Sequence, residues 1–164
     1  MAGVGAPDRQ QLVAVPFRLA HGGELVALLH HVAALVEYAG AVPGGPDQPE
    51  TAPEDGWAAE PGTAYHALVF AARVLPVLGS YDVLDRTLAD HLHTVQLHGV
   101  DRPRRVRVAV AAVAGLAPVD GGHTRLVFVS GAELLVRESL QAVGEAINRP
   151  RVIAPPSGGR IIVR

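Results

Sequence analysis

The histidines are the residues whose type and spacing could support chemistry. His91 and His93 lie two apart in an alternating segment, so a strand there would project both imidazoles from one face. Such a pair is typical of the edge of a metal site, with His123, His66 or Asp90 as a third ligand. No glutamate follows the pair at a fixed spacing, which favours ordinary strand histidines. We expect no metal and no cofactor. The alternative is that the protein is a small metal-dependent or ligand-binding domain that uses His91, His93 and His123.

Other kinds of catalytic chemistry have little support. The chain has no cysteine, and its 14 Lys and Arg residues are all arginine, which excludes thiol nucleophiles and a phosphate loop that requires lysine. None of the serines lies in a Gly-x-Ser-x-Gly nucleophile elbow. The Gly-Gly pairs after Asp120 and Ser157 are better explained as hairpin turns. We therefore predict that the protein is not an enzyme.

Four arginines form the densest group of charges. The net charge of the chain is −2 and the cluster has no interleaved aromatic residues, so specific nucleic-acid binding is not predicted. An acidic protein surface is a more suitable partner for this cluster. The proposed interface residues are Arg102, Arg104, Arg105 and Arg107.

A proline-rich, acidic loop is predicted at 43–63. No arginine occurs between Arg18 and Arg73, and the composition of the loop cannot build a packed element. Trp57, the only tryptophan, either pins the loop to the domain surface or anchors a partner protein. The same loop of a neighbouring copy is a candidate partner for the arginines.

The first part of the chain predicts one helix and one buried strand. Apolar residues from Glu24 to Ala39 recur at three- and four-residue steps, and Gly40 supplies a stop, which indicates an amphipathic helix. Residues 64–75 are rich in β-branched and aromatic side chains, which favours a strand that ends at Pro76, although a helical spacing also fits. Residues 79–90 are a connection with room for a helical turn.

The second part contains one ambiguous segment. Residues 91–100 alternate as a strand does. From Arg105 to Val108 the alternation continues, but an N-cap at Asp101, Pro103 in the first turn and Gly115 as terminator favour a helix over 103–114, which we choose. A hairpin over 123–136 and a short helix over 139–147 follow. No internal repeat at a solenoid period is evident.

These elements predict a single α+β domain over 1–164, with an antiparallel or mixed sheet flanked by two or three helices. Apolar residues make up 49% of the chain and aromatic residues 4%, so Val, Leu and Ala build the core. The longest apolar run is too short to span a bilayer, and the first residues lack a secretion signal. We therefore predict no membrane association.

Several short motifs occur in a recognisable order. They are Val42-Pro43 after the first predicted helix, Tyr65 at the start of a strand, Gln96 to Val100 in the next strand, and Arg102 to Val113 as a helix with an Arg-rich first turn. This order resembles the tail-terminator (tail-completion) proteins of long-tailed actinobacterial phages. The likeness covers residues 24–130, and the long loop at 44–62 and the C-terminal segment depart from it.

The resemblance implies a structural virion protein with no catalytic residue. It implies a tail-terminator-like fold that assembles as a homo-oligomer, a hexameric ring that caps the tail tube and contacts the tail tube protein and the neck or head-connector proteins. The protein would then be located in the virion tail and neck, and in the host cytoplasm during assembly. A regulatory or adaptor domain without chemistry is a third possibility.

Overall fold

The computed structural model describes residues 12–20, 22–37, 65–100 and 104–150. These residues form antiparallel sheets of two, three and five strands together with two α-helices. The α+β class predicted from the sequence is therefore confirmed. The strands form two successive sets of five, and each set ends in a helix.

The first half of the described chain runs from residue 12 to residue 92. A 3₁₀ turn at Leu29–His31 joins its second strand to its third. The elements are β1 (Ala14–Arg18), β2 (Glu24–Leu28), β3 (Val32–Val36), β4 (His66–Phe70), β5 (Arg73–Val77) and α1 (Tyr81–His91). β1 pairs with β2, while β3, β4 and β5 pair in chain order.

The second half has the same elements in the same order. A 3₁₀ turn at Val110–Ala112 again joins the second strand to the third. The elements are β6 (Thr94–His98), β7 (Arg105–Ala109), β8 (Val113–Val119), β9 (His123–Phe128), β10 (Glu133–Val136) and α2 (Leu140–Asn148). β6 pairs with β7, while β8, β9 and β10 pair in chain order.

The two halves also repeat individual hydrogen bonds, which makes the chain an internal duplication of one ββ-3₁₀-βββα unit. In both halves the third strand carries a register shift next to the 3₁₀ turn. Four main-chain hydrogen bonds of the first half recur at equivalent positions in the second. Leu29 N to Val13 O corresponds to Val110 N to His93 O (both 2.9 Å), and Leu78 N to Arg18 O corresponds to Arg137 N to His98 O (both 2.8 Å). Ala71 N to His31 O (2.9 Å) corresponds to Val129 N to Ala112 O (2.8 Å), and Leu19 N to Gly23 O (3.1 Å) corresponds to Gly99 N to Arg104 O (3.0 Å).

One strand pair joins the two halves. β3 of the first half pairs with β7 of the second, and the five-stranded sheet has the order β5-β4-β3-β7-β6. Leu35 lies opposite Arg107 in this pair. Two clusters of buried apolar side chains are present, one around Leu35 and Leu68 and the other around Val108 and Leu126. This β3–β7 pair, the joint between the halves, therefore passes between the two cores.

The helix predicted over 24–39 is wrong. Residues 24–36 of this segment form β2, the 3₁₀ turn and β3. All five residues of Val32–Val36 are buried, and a strand covered on both faces reads as a continuous apolar run instead of an alternation. The 3₁₀ turn before it shifts the phase of the pattern, so two strands imitate a helical spacing.

The helix predicted over 103–114 is also wrong. This segment contains β7, the second 3₁₀ turn and the start of β8. The alternation from Arg105 to Val108 is that of a strand, because Val106 and Val108 are fully buried while both arginines lie on the other face. The helix signals at Asp101 and Pro103 lie outside the described residues.

The other elements predicted within the described residues are partly confirmed, with adjusted bounds. The one strand predicted over 64–75 is two strands, β4 and β5, because the chain turns at Ala71, which has a φ of 49°. The predicted end at Pro76 is wrong, since β5 continues through Pro76 to Val77. β9 and β10 form the predicted hairpin, and α2 is the predicted helix, with the Ser139 side chain accepting from the Ala142 amide. Residues 79–90, expected to be a connection, contain α1. The strand predicted over 91–100 is β6, and His91 belongs to α1 instead.

Candidate functional site

The structure does not bring the three predicted metal ligands together. His91 ends α1, His93 precedes β6, and His123 begins β9. The Nδ1 atom of His123 lies 3.3 Å from the Arg137 carbonyl oxygen. Within residues 12–20, 22–37, 65–100 and 104–150 no group of three His, Cys, Asp or Glu side chains is placed to hold a metal.

Two of the predicted interface arginines bind carboxylates of this same chain. Arg105 contacts Glu37 at 2.8 Å and Asp82 at 2.6 Å. Arg107 contacts Asp85 at 2.6 Å and 2.8 Å through two guanidinium nitrogens. All three carboxylates belong to the first half and both arginines to the second, so these contacts hold the halves together. Arg105 and Arg107 therefore make contacts within the chain, and whether they also take part in an interface with a partner stays a prediction.

Three other predicted positions give less information. Trp57, the loop at 43–63 and Arg102 lie outside the described residues. Arg104 precedes β7 and is half-buried. Whether these residues take part in an interface stays a prediction.

The Arg105 site is a compact charged cluster on α1 and the sheet. Its guanidinium carbon lies 4.5 Å from the centre of the Tyr81 ring, a distance at which a cation interacts favourably with an aromatic face. The hydrogen bonds from Arg105 lower the pKa of the Glu37 carboxyl below its usual value. Burial, together with the nearby Asp85 charge, raises the pKa of the Tyr81 phenol, which favours its neutral form.

A buried polar side chain occupies the same place in both halves. In the first half the Nε2 atom of His66 lies 3.1 Å from the Gly79 carbonyl oxygen. In the second half the Thr124 hydroxyl donates to the Glu138 carbonyl at 2.9 Å. Both residues tie the fourth strand to the segment that leads into the helix. Burial is the main cause that lowers the pKa of His66.

This arrangement predicts that acid destabilises the protein in two stages. Because the folded-state pKa of His66 is lowered from 6.5, the unfolded chain binds that proton first, and stability falls as the pH drops below about 6.5. Glu37, whose pKa is lowered from 4.5, adds a second loss below about 4.5. We expect His66→Gln to flatten the first stage and Glu37→Gln the second, in melting temperatures measured from pH 8 to pH 3. A first stage that is unchanged in His66→Gln would contradict the assignment.

The outer edge of β6 is open over two residues. The Val110 amide donates to the His93 carbonyl and the Gly99 amide to the Arg104 carbonyl, so the odd-numbered residues of this segment direct their main-chain groups toward β7. Thr94, Gln96 and His98 direct theirs away from β7. His98 is already engaged, because its amide donates to the Glu138 carboxylate and its carbonyl accepts from Arg137. Among the described residues no strand pairs with the edge at Thr94 and Gln96.

Three other edge strands are blocked by proline. Pro16 of β1 occupies the position equivalent to Gln96, since Pro16 lies opposite Val26 and Gln96 opposite Arg107 in equivalent ladders. Pro76 of β5 and Pro118 of β8 also occupy outward positions. A proline has no amide to donate, so it interrupts further pairing along an edge. At β5 the Pro76 carbonyl still accepts from the Ala20 amide, and Leu19 bridges Val77. The edge of β6 therefore differs from those of β1, β5 and β8.

The open edge of β6 lies in a groove of about 380 Å³. The end of α1 contributes one wall and the end of α2 the other. The lining residues are Ala89, Leu92, His93, Thr94, Val95, Gln96, Arg107, Ala146, Arg149 and Pro150. The groove thus offers unpaired main-chain groups between two short apolar walls with cationic side chains.

Comparison with known proteins adds no relative. No protein-family model, curated protein or solved structure matches this chain. Within the part of the chain that the structure describes, neither helix is long and apolar enough to cross a membrane.

The groove and the duplication were both missed by the sequence analysis. One sequence signal for the duplication exists: Val32, Ala33 and Leu35 follow one 3₁₀ turn with the spacing of Val113, Ala114 and Leu116 after the other. The main-chain bonds carry most of the likeness, and side-chain identities carry little of it. A search for short tandem periods could not find a unit of this length.

Proposed function

We propose that this chain is a protein-binding module of a larger assembly, which accepts an extended segment of a partner protein as an added strand beside β6. The observation that carries the proposal is the unpaired edge at Thr94 and Gln96, which lies in the groove between α1 and α2. Of the other edge strands in the described chain, β1, β5 and β8 carry proline, whereas β2 and β10 do not. Added strands gain affinity from main-chain hydrogen bonds and specificity from alternate side chains.

The joint between the halves supports this role by making the platform rigid. β6 pairs with β7, and β7 is held to the first half by its ladder with β3 and by the ion pairs of Arg105 and Arg107. A preorganised edge loses little conformational entropy when a strand is added. The charged cluster therefore serves the function indirectly, by positioning β6.

The tail-terminator role is one specific form of this proposal. Two helices that suggested it, over 24–39 and over 103–114, are in their described residues strands joined by 3₁₀ turns. We therefore retain the coarser part, a structural role in an assembly. The hexameric ring, the tail-tube and neck partners and the virion location remain predictions.

Peptide selection followed by hydrogen exchange tests the proposed function. Peptides selected on the full chain from a random displayed library should protect the amides of Thr94 and Gln96. Gln96→Pro should abolish their binding, and it should fold because β1 has a proline at the equivalent position. Gln96→Val, which removes the same side chain but keeps the amide, is the matched control and should still bind. Selected peptides that bind Gln96→Pro as tightly as the natural chain would refute the proposal.

A further inference from the structure

The two walls of the β6 groove face opposite sides of an incoming strand. Gln96 lies opposite Arg107, and Arg107 is bonded to Asp85 of α1, so α1 covers that face of the sheet. Val95 belongs to the same apolar cluster as Val143 of α2, so α2 covers the other face. Because side chains alternate along a strand, a strand added at this edge directs every second side chain toward α1 and the others toward α2.

The α1 wall is apolar and neutral. Ala89 and Leu92 line the groove on this side. Arg107 also reaches it, but its charge is matched by the two hydrogen bonds to the Asp85 carboxylate. Side chains that point toward α1 therefore meet aliphatic surface, and small or β-branched apolar residues fit best.

The α2 wall carries a positive charge. Arg149 lines the groove together with Ala146 and Pro150, and His93 adds a ring that can donate a hydrogen bond. No carboxylate lies among the lining residues, and within the described chain no ion pair involves Arg149. Part of the Arg149 charge interacts with the C-terminal end of α2, where it is the capping residue. A guanidinium at a helix end still offers unused donors to a carboxylate.

The positive charge of the α2 wall is present in the second half and not at the equivalent position of the first half. Ser80 caps α1 and Ser139 caps α2, so Asp90 of the first helix is equivalent to Arg149. The first half therefore has an acid in place of Arg149 and Pro16 in place of Gln96. Both changes remove what an acidic strand would need.

We propose that the partner segment is an extended peptide in which apolar residues alternate with acidic ones, with the acidic side chains directed toward Arg149. This inference rests on the proposed function and adds the chemical class of the partner. Thr94 and Gln96 each provide one amide and one carbonyl, so about four main-chain hydrogen bonds are available. Beyond Gln96 the edge closes at His98, so the paired part of the segment is short.

Direct binding of defined peptides to the full chain tests the inference. The probe is acetyl-Val-Glu-Val-Glu-Val-amide with a fluorescent label, measured by anisotropy. The same peptide with lysine for glutamate tests charge, and a version with methylated main-chain nitrogens tests strand pairing. We expect the lysine peptide to bind at least about tenfold more weakly, and the methylated peptide to lose binding.

Protein variants locate the site. Arg149→Gln should weaken binding of the acidic peptide about tenfold. Arg125→Gln should leave that binding unchanged, because Arg125 is an exposed residue of β9 outside the groove lining. Gln96→Pro should abolish binding and Gln96→Val should retain it. Equal binding of acidic and lysine peptides, both lost in Gln96→Pro, would overturn the acidic partner and leave the proposed function intact.

Other outcomes would overturn the inference. If the acidic peptide binds Gln96→Pro as tightly as the natural chain, or fails to bind the natural chain, the edge is not its site. If the amides of Thr94 and Gln96 are already protected from exchange in the protein alone, the edge is occupied by another part of the chain. A mass that doubles with concentration while these amides become protected would assign the edge to a second copy.

Discussion

Leu35→Ala is expected to lower the free energy of unfolding by about 2–5 kcal/mol. Leu35 is completely buried and lies on β3, the central strand of the five-stranded sheet. It pairs with Leu68 on one side and with Arg107 on the other. Removing its side chain leaves a cavity where neighbouring strands are fixed by their ladders, so the space cannot collapse easily. Urea unfolding of the natural and variant chains measures the difference.

The internal duplication supplies a matched control for this prediction. Leu116 on β8 is the equivalent of Leu35 and pairs with Leu126 as Leu35 pairs with Leu68. Leu116 is only partly buried, because no strand of the described chain pairs with the other side of β8. Leu116→Ala should therefore lower the free energy of unfolding by only about 1 kcal/mol. Equal losses for the two variants would show that the joint does not add to the burial of Leu35.

The sequence predicted the class of the fold and most local elements of the second half. Hairpins and helix caps depend on neighbouring residues, so the Gly121-Gly122 turn and the Ser139 cap could be read locally. The segment from Glu24 to Val36 could not, because its apolar residues fit a helix as well as two strands around a 3₁₀ turn. The choice between them depends on burial on both faces of β3, which only the distant strands β4 and β7 provide.

The candidate site was harder to predict for the same reason. The arginines were identified as a charge cluster, but their carboxylate partners lie 22, 23 and 68 positions away in the chain. The groove depends on which edge of which strand remains unpaired, and that is a property of the whole sheet. Pro16, Pro76 and Pro118 were visible in the sequence, yet their outward direction follows only from the ladder register.

Arg107→Met is expected to destabilise the protein by about 2–3 kcal/mol, somewhat below the range for a fully buried pair. The side chains of Arg107 and Asp85 are 16% and 18% exposed, and the pair has two short hydrogen bonds. Methionine preserves much of the apolar stem, so the loss reports mainly the carboxylate of Asp85 left without its partner. Asp85→Asn should cost a similar amount because it leaves the Arg107 charge unmatched.

The double variant separates the ion pair from its surroundings. Arg107→Met with Asp85→Asn should lose clearly less than the sum of the single changes, since no unmatched charge remains. Arg125→Met is the control: Arg125 and Glu133 are 3.6 Å apart and about half exposed, and an exposed pair contributes only about 0–1 kcal/mol. Strict additivity in the cycle at Arg107 and Asp85 would mean that β7 is held to α1 by packing alone. The charged residues would then have no part in positioning β6, and their interaction with a partner would again be the better explanation for the arginines.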